Sequence, residues 1–212
     1  MTVLGLLTVV AVEAFRVGGR AWEKGERRAE EQQRLRILYA TLARELASLE
    51  LVVTTVDDKR LLGFMGKPDR LTFFAAPDGE GSPPLSIMVR GLAYFVETGR
   101  GLLLQESHPL VEGAVSFEPK ETRVKVLEPR AQSVRFRYLV PDKEGDGAPK
   151  WADEWDPPEV PGRGPQAVRA VLDGLPLGVE VTILLSGGDS PTGAVPEPVT
   201  FYFPINVGRR LS

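Results

Sequence analysis

From Val3 to about Leu51 the chain has no proline, and its apolar positions recur at helical spacing. An apolar run opens the segment, Val3 to Val12. A charged stretch follows, Arg16 to Arg36. Then comes a stripe at Leu35, Leu38, Tyr39, Leu42, Leu46 and Leu49, whose steps of three and four residues mark one face of an α-helix. A single helix of this length would extend about 75 Å, and patterns longer than about 25 residues mark coiled coils, membrane spans or repeats. The pattern therefore predicts a long N-terminal helix with a greasy end, a charged middle and an amphipathic end. Glu23/Arg27 and Glu30/Arg34 support the middle as i,i+4 pairs in the favourable order. Gly18, Gly19 and Gly25 mark a bend or a close helix contact.

The apolar run, extended to Phe15, covers roughly 20 Å of helix, whereas a bilayer core needs about 20 apolar residues. Glu13 interrupts it. Three readings follow: a short interfacial anchor, a buried core helix, or the second half of a membrane span that begins before Met1. The third is the expectation adopted. Trp22 lies just past the run, where an amphipathic ring would meet a membrane–water boundary.

After Leu51 the period changes from helical to alternating. Leu51–Val56 is β-rich. Strands are expected at Leu71–Ala75, Leu85–Arg90, Leu92–Glu97, Leu102–Glu106, Arg123–Leu127, Ser133–Val140, Ala167–Leu172, Val179–Leu185 and Val199–Phe203. Thr98-Gly99-Arg100-Gly101 is a hairpin turn by its glycines. Pro77–Pro84, Pro141–Gly164 and Ser186–Pro198 are expected loops. No βαβ alternation and no internal repeat occurs. The expected fold class is α+β, with one long helix packed by its C-terminal half on antiparallel sheet. The expected division is 1–34 for the anchor and charged stalk, and 35–212 for the globular β domain with the packed helix half.

Composition narrows the chemistry. Cysteine is absent, which excludes disulfides, thiolate nucleophiles and Cys-based zinc sites. The single histidine, His108, excludes multi-histidine metal sites. It stands beside Ser107, and adjacent residues of an extended chain point to opposite faces, so the two form no nucleophile–base pair. A net charge of −3 carries no nucleic-acid signature. Glycine (22) and proline (18) fit a loop-rich β domain. Gly162–Ala167 imitates a dinucleotide fingerprint, but it follows no strand and contains a proline.

An acidic segment carries Asp142, Glu144 and Asp146, then Asp153, Glu154 and Asp156. The expectation for Asp153, Glu154 and Asp156 is a solvated acidic loop without metal; the alternative is a calcium loop by oxygen content, although the spacing is not that of an EF-hand. The adjoining Trp151 and Trp155 either pin the loop to the sheet or, with Trp22, contact a partner, since tryptophan is enriched at interface hot spots. No serine, lysine or carboxylate pair shows catalytic spacing.

A series of local motifs runs along nearly the whole chain. It comprises Arg20-Ala21-Trp22-Glu23-Lys24-Gly25-Glu26, Glu31-Gln32-Gln33-Arg34-Leu35-Arg36, Leu42-Ala43-Arg44-Glu45-Leu46 and Leu71-Thr72-Phe73. It continues with Val134-Arg135-Phe136-Arg137-Tyr138-Leu139, Trp151-Ala152-Asp153-Glu154-Trp155-Asp156, Gln166-Ala167-Val168-Arg169-Ala170-Val171 and Phe203-Pro204-Ile205. In order and spacing the series resembles the J-type minor pseudopilins of type II secretion systems, within the type IV pilin-like superfamily. The resemblance implies a pilin-like fold and a non-enzymatic assembly role without cofactor. The implied partners are the I-type and K-type minor pseudopilins, the major pseudopilin and the inner membrane, with the globular domain in the periplasm. One feature departs from the family: the processing site, a glycine followed by Phe-Thr-Leu-x-Glu, does not occur, and Met1 is expected to fall inside the mature helix. The alternatives are a minor pilin of a type IV pilus or competence system, with the same physics, and a membrane-tethered ligand-binding β module.

Overall fold

The structure, a computed structural model, describes residues 22, 25, 26, 29–56, 59–76, 89–107, 122–142, 147–157, 159, 160, 175–186 and 198–205. Eleven strands follow one another among them: β1 (Val53–Val56), β2 (Lys59–Leu62), β3 (Phe64–Gly66), β4 (Arg70–Ala75), β5 (Arg90–Glu97), β6 (Gly101–Ser107), β7 (Thr122–Glu128), β8 (Ala131–Val140), β9 (Lys150–Ala152), β10 (Gly178–Leu185) and β11 (Pro198–Pro204). They form a five-stranded sheet in the order β3-β4-β5-β6-β7, a four-stranded sheet in the order β11-β10-β8-β9, and a β1-β2 ribbon. Every strand pair is antiparallel.

This corrects the expected fold class. Strand accounts for 55% of the described residues and helix for 19%, so the protein is mostly antiparallel β rather than a long helix packed on a sheet. The chain divides into two compact units, Met1–Thr41 and Leu42–Ser212. The described residues of the first are all helical, and the helix runs on through 29–47, a stretch rich in the helix formers Ala, Leu, Glu, Gln and Arg. Only its last turns, with Leu42 and Leu46, belong to the β unit. The physical reason is that the β runs after residue 52 bury their own side chains against each other, sheet on sheet, and supply most of the core themselves.

The helix stops earlier than the pattern predicts because a strand captures the chain. The Ser48 amide donates to the Arg44 and Glu45 carbonyls at 3.0 and 3.2 Å, and its hydroxyl donates to the Glu45 carbonyl at 2.9 Å. Leu49 then bridges Ala75 of β4. The Glu50 amide donates to the Phe74 carbonyl and the Ala76 amide to the Ser48 carbonyl, both at 2.8 Å. Ladder bonds thus replace helix bonds at residue 49.

The alternating runs expected at 71–75, 92–97, 102–106, 123–127, 133–140, 179–185 and 199–203 are the strands β4 to β8, β10 and β11. Three short strands were not legible: β2, β3, and β9 inside the expected loop Pro141–Gly164. The expected strand at Ala167–Leu172 and most of the one at Leu85–Arg90 lie outside the described residues, as does the apolar run Val3–Val12. Among the described residues no helix is long and apolar enough to cross a membrane.

Central strands β5 and β6 bury residues on both faces, with Gly91–Tyr94 and Gly101–Gln105 all buried. The hairpin between them pairs Glu97 with Gly101, and its glycines take positive φ, 81° at Gly99 and 88° at Gly101. The chain leaves the five-stranded sheet at Pro129–Arg130. There the buried Glu128 carboxylate accepts from the Arg130 amide at 3.0 Å and from its guanidinium at 3.2 Å. Strand β8 then lies against β3, β4, β5 and β6. The core between the sheets is aromatic. Phe73 stacks on Tyr94 at 6.0 Å, and Phe64 meets Tyr138 and Trp155 edge-on at 6.2 and 5.2 Å. The Tyr138 ring lies over Gly66, and its hydroxyl donates to the Lys67 carbonyl at 3.0 Å.

Candidate binding face

Alternation along β8, β10 and β11 sorts the four-stranded sheet into two faces. Val134, Phe136, Tyr138, Val179, Val181, Ile183 and Phe203 point inward and are buried. The other face presents side chains in registered rows. Leu139 stands opposite both Trp151 of β9 and Gly178 of β10, and Gly178 stands opposite Pro204. One row over, Arg137 stands opposite Glu180, and Glu180 opposite Tyr202. The next row holds Arg135, Thr182 and Thr200, whose two hydroxyls share a hydrogen bond of 3.0 Å.

Trp151 and Tyr202 are exposed, at 38% and 46%, and meet edge to face with centroids 6.0 Å apart. Tyr202 lies across Gly178, where a β-carbon would run into the ring. The Arg137 guanidinium sits 5.5 Å from the centre of the Trp151 ring, within cation–π range. Arg137 also pairs with Glu180 at 3.4 Å and with Asp153 at 3.6 Å, and Arg135 reaches Asp153 at 3.1 Å. These pairs are half-exposed and contribute little stability. They place four charged groups beside the two rings.

The candidate calcium loop is engaged by the protein's own cations. Asp153 meets Arg135 and Arg137, and Glu154 and Asp156 both meet Lys67, at 3.2 and 2.8 Å. The hydrogen bonds that the Lys67 ammonium donates to Asp156 and then Glu154 raise its pKa above the ordinary value. Among the described residues no group of His, Asp and Glu side chains is arranged to hold a metal ion. Glu144, Asp146, His108 and Gly162–Ala167 lie outside the described residues.

The three tryptophans part company. Trp155 is buried, and its backbone exchanges hydrogen bonds of 2.8 and 2.9 Å with Gly66. Trp151 lies on the outer face just described. Trp22 is 78% exposed on the helical unit. Of the helix stripe, Leu38, Leu42, Leu46 and Leu49 are buried, Leu35 is half-buried and Tyr39 is exposed. Ile37, outside the stripe, is exposed as well.

Two sets of residues escaped the sequence pattern. Glu45 and Arg90 are buried and paired at 2.7 Å, and Arg90 also reaches Glu106 at 3.2 Å and the Ala76 carbonyl at 3.1 Å. Glu45 falls three residues after Leu42 and one before Leu46, so a carboxylate on the apolar side of the helix was the available signal. Tyr202, Arg137 and Glu180 carried none, because only strand register aligns them. The sequence matches no protein-family model and no curated protein.

Proposed function

We propose that this protein is a non-enzymatic assembly subunit, a minor pseudopilin of the type II secretion machinery. With the long-helix plan set aside, the motif series from Arg20 to Ile205 suggests the machine. The observation that carries the assembly role is the set of large apolar side chains exposed on the helical unit: Trp22 at 78%, Ile37 at 57% and Tyr39 at 45%. Apolar side chains this exposed on a helix suit packing against neighbouring helices, in the manner of aromatic anchors at interfaces. The chain would join I-type and K-type minor pseudopilins and the major pseudopilin. Its apolar run Val3–Val12 would lie in the inner membrane, with the β unit in the periplasm. A minor pilin of a type IV pilus would use the same contacts in a different machine.

Co-purification with I-type and K-type minor pseudopilins tests the reading. The expected result is a complex at micromolar concentration that is lost in Trp22→Ala/Tyr39→Ala, with the thermal midpoint of the β unit unchanged. Absence of any complex from the wild-type chain overturns it.

A further inference from the structure

The outer face of the four-stranded sheet has a composition that helix-borne assembly does not use. We propose that it is a glycan-binding platform, with Trp151 and Tyr202 as the stacking surfaces and Asp153, Arg137 and Glu180 as the hydroxyl partners. The inference stands independently of the secretion role.

Three observations carry it. First, the rings are presented rather than buried. Tyr202 rests with one side against Gly178, where the missing β-carbon lets it lie down, and it is 46% exposed. Trp151 stands nearly perpendicular to it, at 82°. Two rings set at an angle fit a twisting soluble chain better than a flat crystalline surface. The apolar C–H face of a sugar ring carries partial positive charge and suits the negative face of an aromatic ring.

Second, the polar groups beside the rings are of the type that reads hydroxyls. A hydroxyl donates and accepts, so it needs both kinds of partner. Here the guanidinium of Arg137 donates and the carboxylates of Asp153 and Glu180 accept. Their mutual pairing at 3.4 and 3.6 Å groups donor and acceptors within reach of one ligand.

Third, charge and size select the ligand. Arg135 and Arg137 are matched by Asp153 and Glu180, so the face is electrically balanced and favours a neutral ligand. Among the described residues its apolar part is Trp151, Leu139, Tyr202 and Pro204. Four such side chains make a small apolar patch beside the roughly 800 Å² that each partner buries in a standard protein interface. It is sufficient for a short run of sugar units.

Affinity electrophoresis of the full chain tests this directly. Native gels would contain hydroxyethylcellulose, xylan, mixed-linkage β-glucan or galactomannan. At least one polymer is expected to retard the wild type. Trp151→Ala and Tyr202→Ala should each weaken that retardation by about tenfold, the scale of one lost aromatic contact. Both side chains are exposed, so their thermal midpoints should stay at the wild-type value. Gly178→Ala keeps every aromatic but lifts Tyr202, and it should weaken retardation by a smaller factor. Wild-type migration unchanged in all four gels overturns the proposal. So does equal retardation of wild type, Trp151→Ala and Tyr202→Ala. Loss of a protein complex in Trp151→Ala, with no retardation in any gel, assigns the face to a protein partner and overturns it equally.

Discussion

The Arg90 guanidinium donates to the Glu45 carboxylate at 2.7 Å, with each side chain only 5% exposed. The bond ties the last turn of the helix to the start of β5, across 45 residues of sequence. Two desolvated charges gain little net stability from each other, but removing Glu45 takes its shortest ion pair from the buried Arg90, which keeps Glu106 at 3.2 Å and the Ala76 carbonyl at 3.1 Å. Glu45→Ala is therefore expected to cost about 3 kcal/mol, and Glu45→Leu combined with Arg90→Met much less. Urea unfolding midpoints of the two variants decide this. A single substitution no worse than the double would refute the buried-pair account.

Tyr94 sits beside this pair, and its hydroxyl is buried without a hydrogen-bond partner among the described residues. An unsatisfied buried hydroxyl costs about 1–3 kcal/mol. Tyr94→Phe should accordingly stabilise the fold by about 1 kcal/mol while keeping the stack on Phe73. Burial first, and the Glu45 charge second, push the Tyr94 pKa above its ordinary value. The folded chain therefore keeps a proton that the unfolded chain releases near pH 10, by about the ordinary tyrosine value. Folding stability is full below that pH and falls as pH rises above it. Tyr138, raised chiefly by burial, adds to the same alkaline loss. The denaturation midpoint of Tyr94→Phe should exceed that of wild type by a constant margin from pH 8 up to about pH 10, and by a margin that grows above it.

Leu42 and Leu46 are 1% and 2% exposed. Their truncation to alanine is expected to cost about 2–5 kcal/mol each, from lost burial and the cavity left behind. Tyr39→Ala, at an exposed position three residues before Leu42, should stay within about 0.5 kcal/mol of wild type. Thermal unfolding of the three variants would expose a wrong assignment of the helix face.

Gly99 and Gly101 share one hairpin and similar positive φ, but their surroundings differ. Gly99 faces open space, whereas a β-carbon on Gly101 would strike the Glu128 carbonyl and the Pro129 backbone. Gly99→Ala should cost about 1 kcal/mol from the left-handed conformation alone. Gly101→Ala should cost at least about 3 kcal/mol or prevent folding, because backbone on both sides must move. Equal midpoints for the two would show that the β6–β7 approach is looser than described.

Strands were legible where alternation was clean. Val134, Phe136 and Tyr138 recur at a period of two and lie in β8, whereas Leu71–Ala75 reads as β4 by its β-forming residues. Lys150–Ala152 was not legible, since three residues within an acidic loop carry no period. The helix was overextended because Leu49 continues the spacing of Leu42 and Leu46. Helical spacing records which face is apolar. It does not record that Ala75 offers Leu49 a ladder bond.

The sequence by itself determined the β-rich character after residue 52, the helix through 29–47, and the chemistry excluded by having no cysteine and one histidine. Tertiary structure alone decided the fates of Trp151 and Trp155, which lie four residues apart in one acidic segment. Trp155 pairs with Gly66 and enters the aromatic core. Trp151 pairs with Leu139 and faces outward beside Tyr202. Nothing local distinguishes them. Strand register does, because a shift of one residue in pairing exchanges the two faces of a sheet, and register is settled by partners distant in the chain.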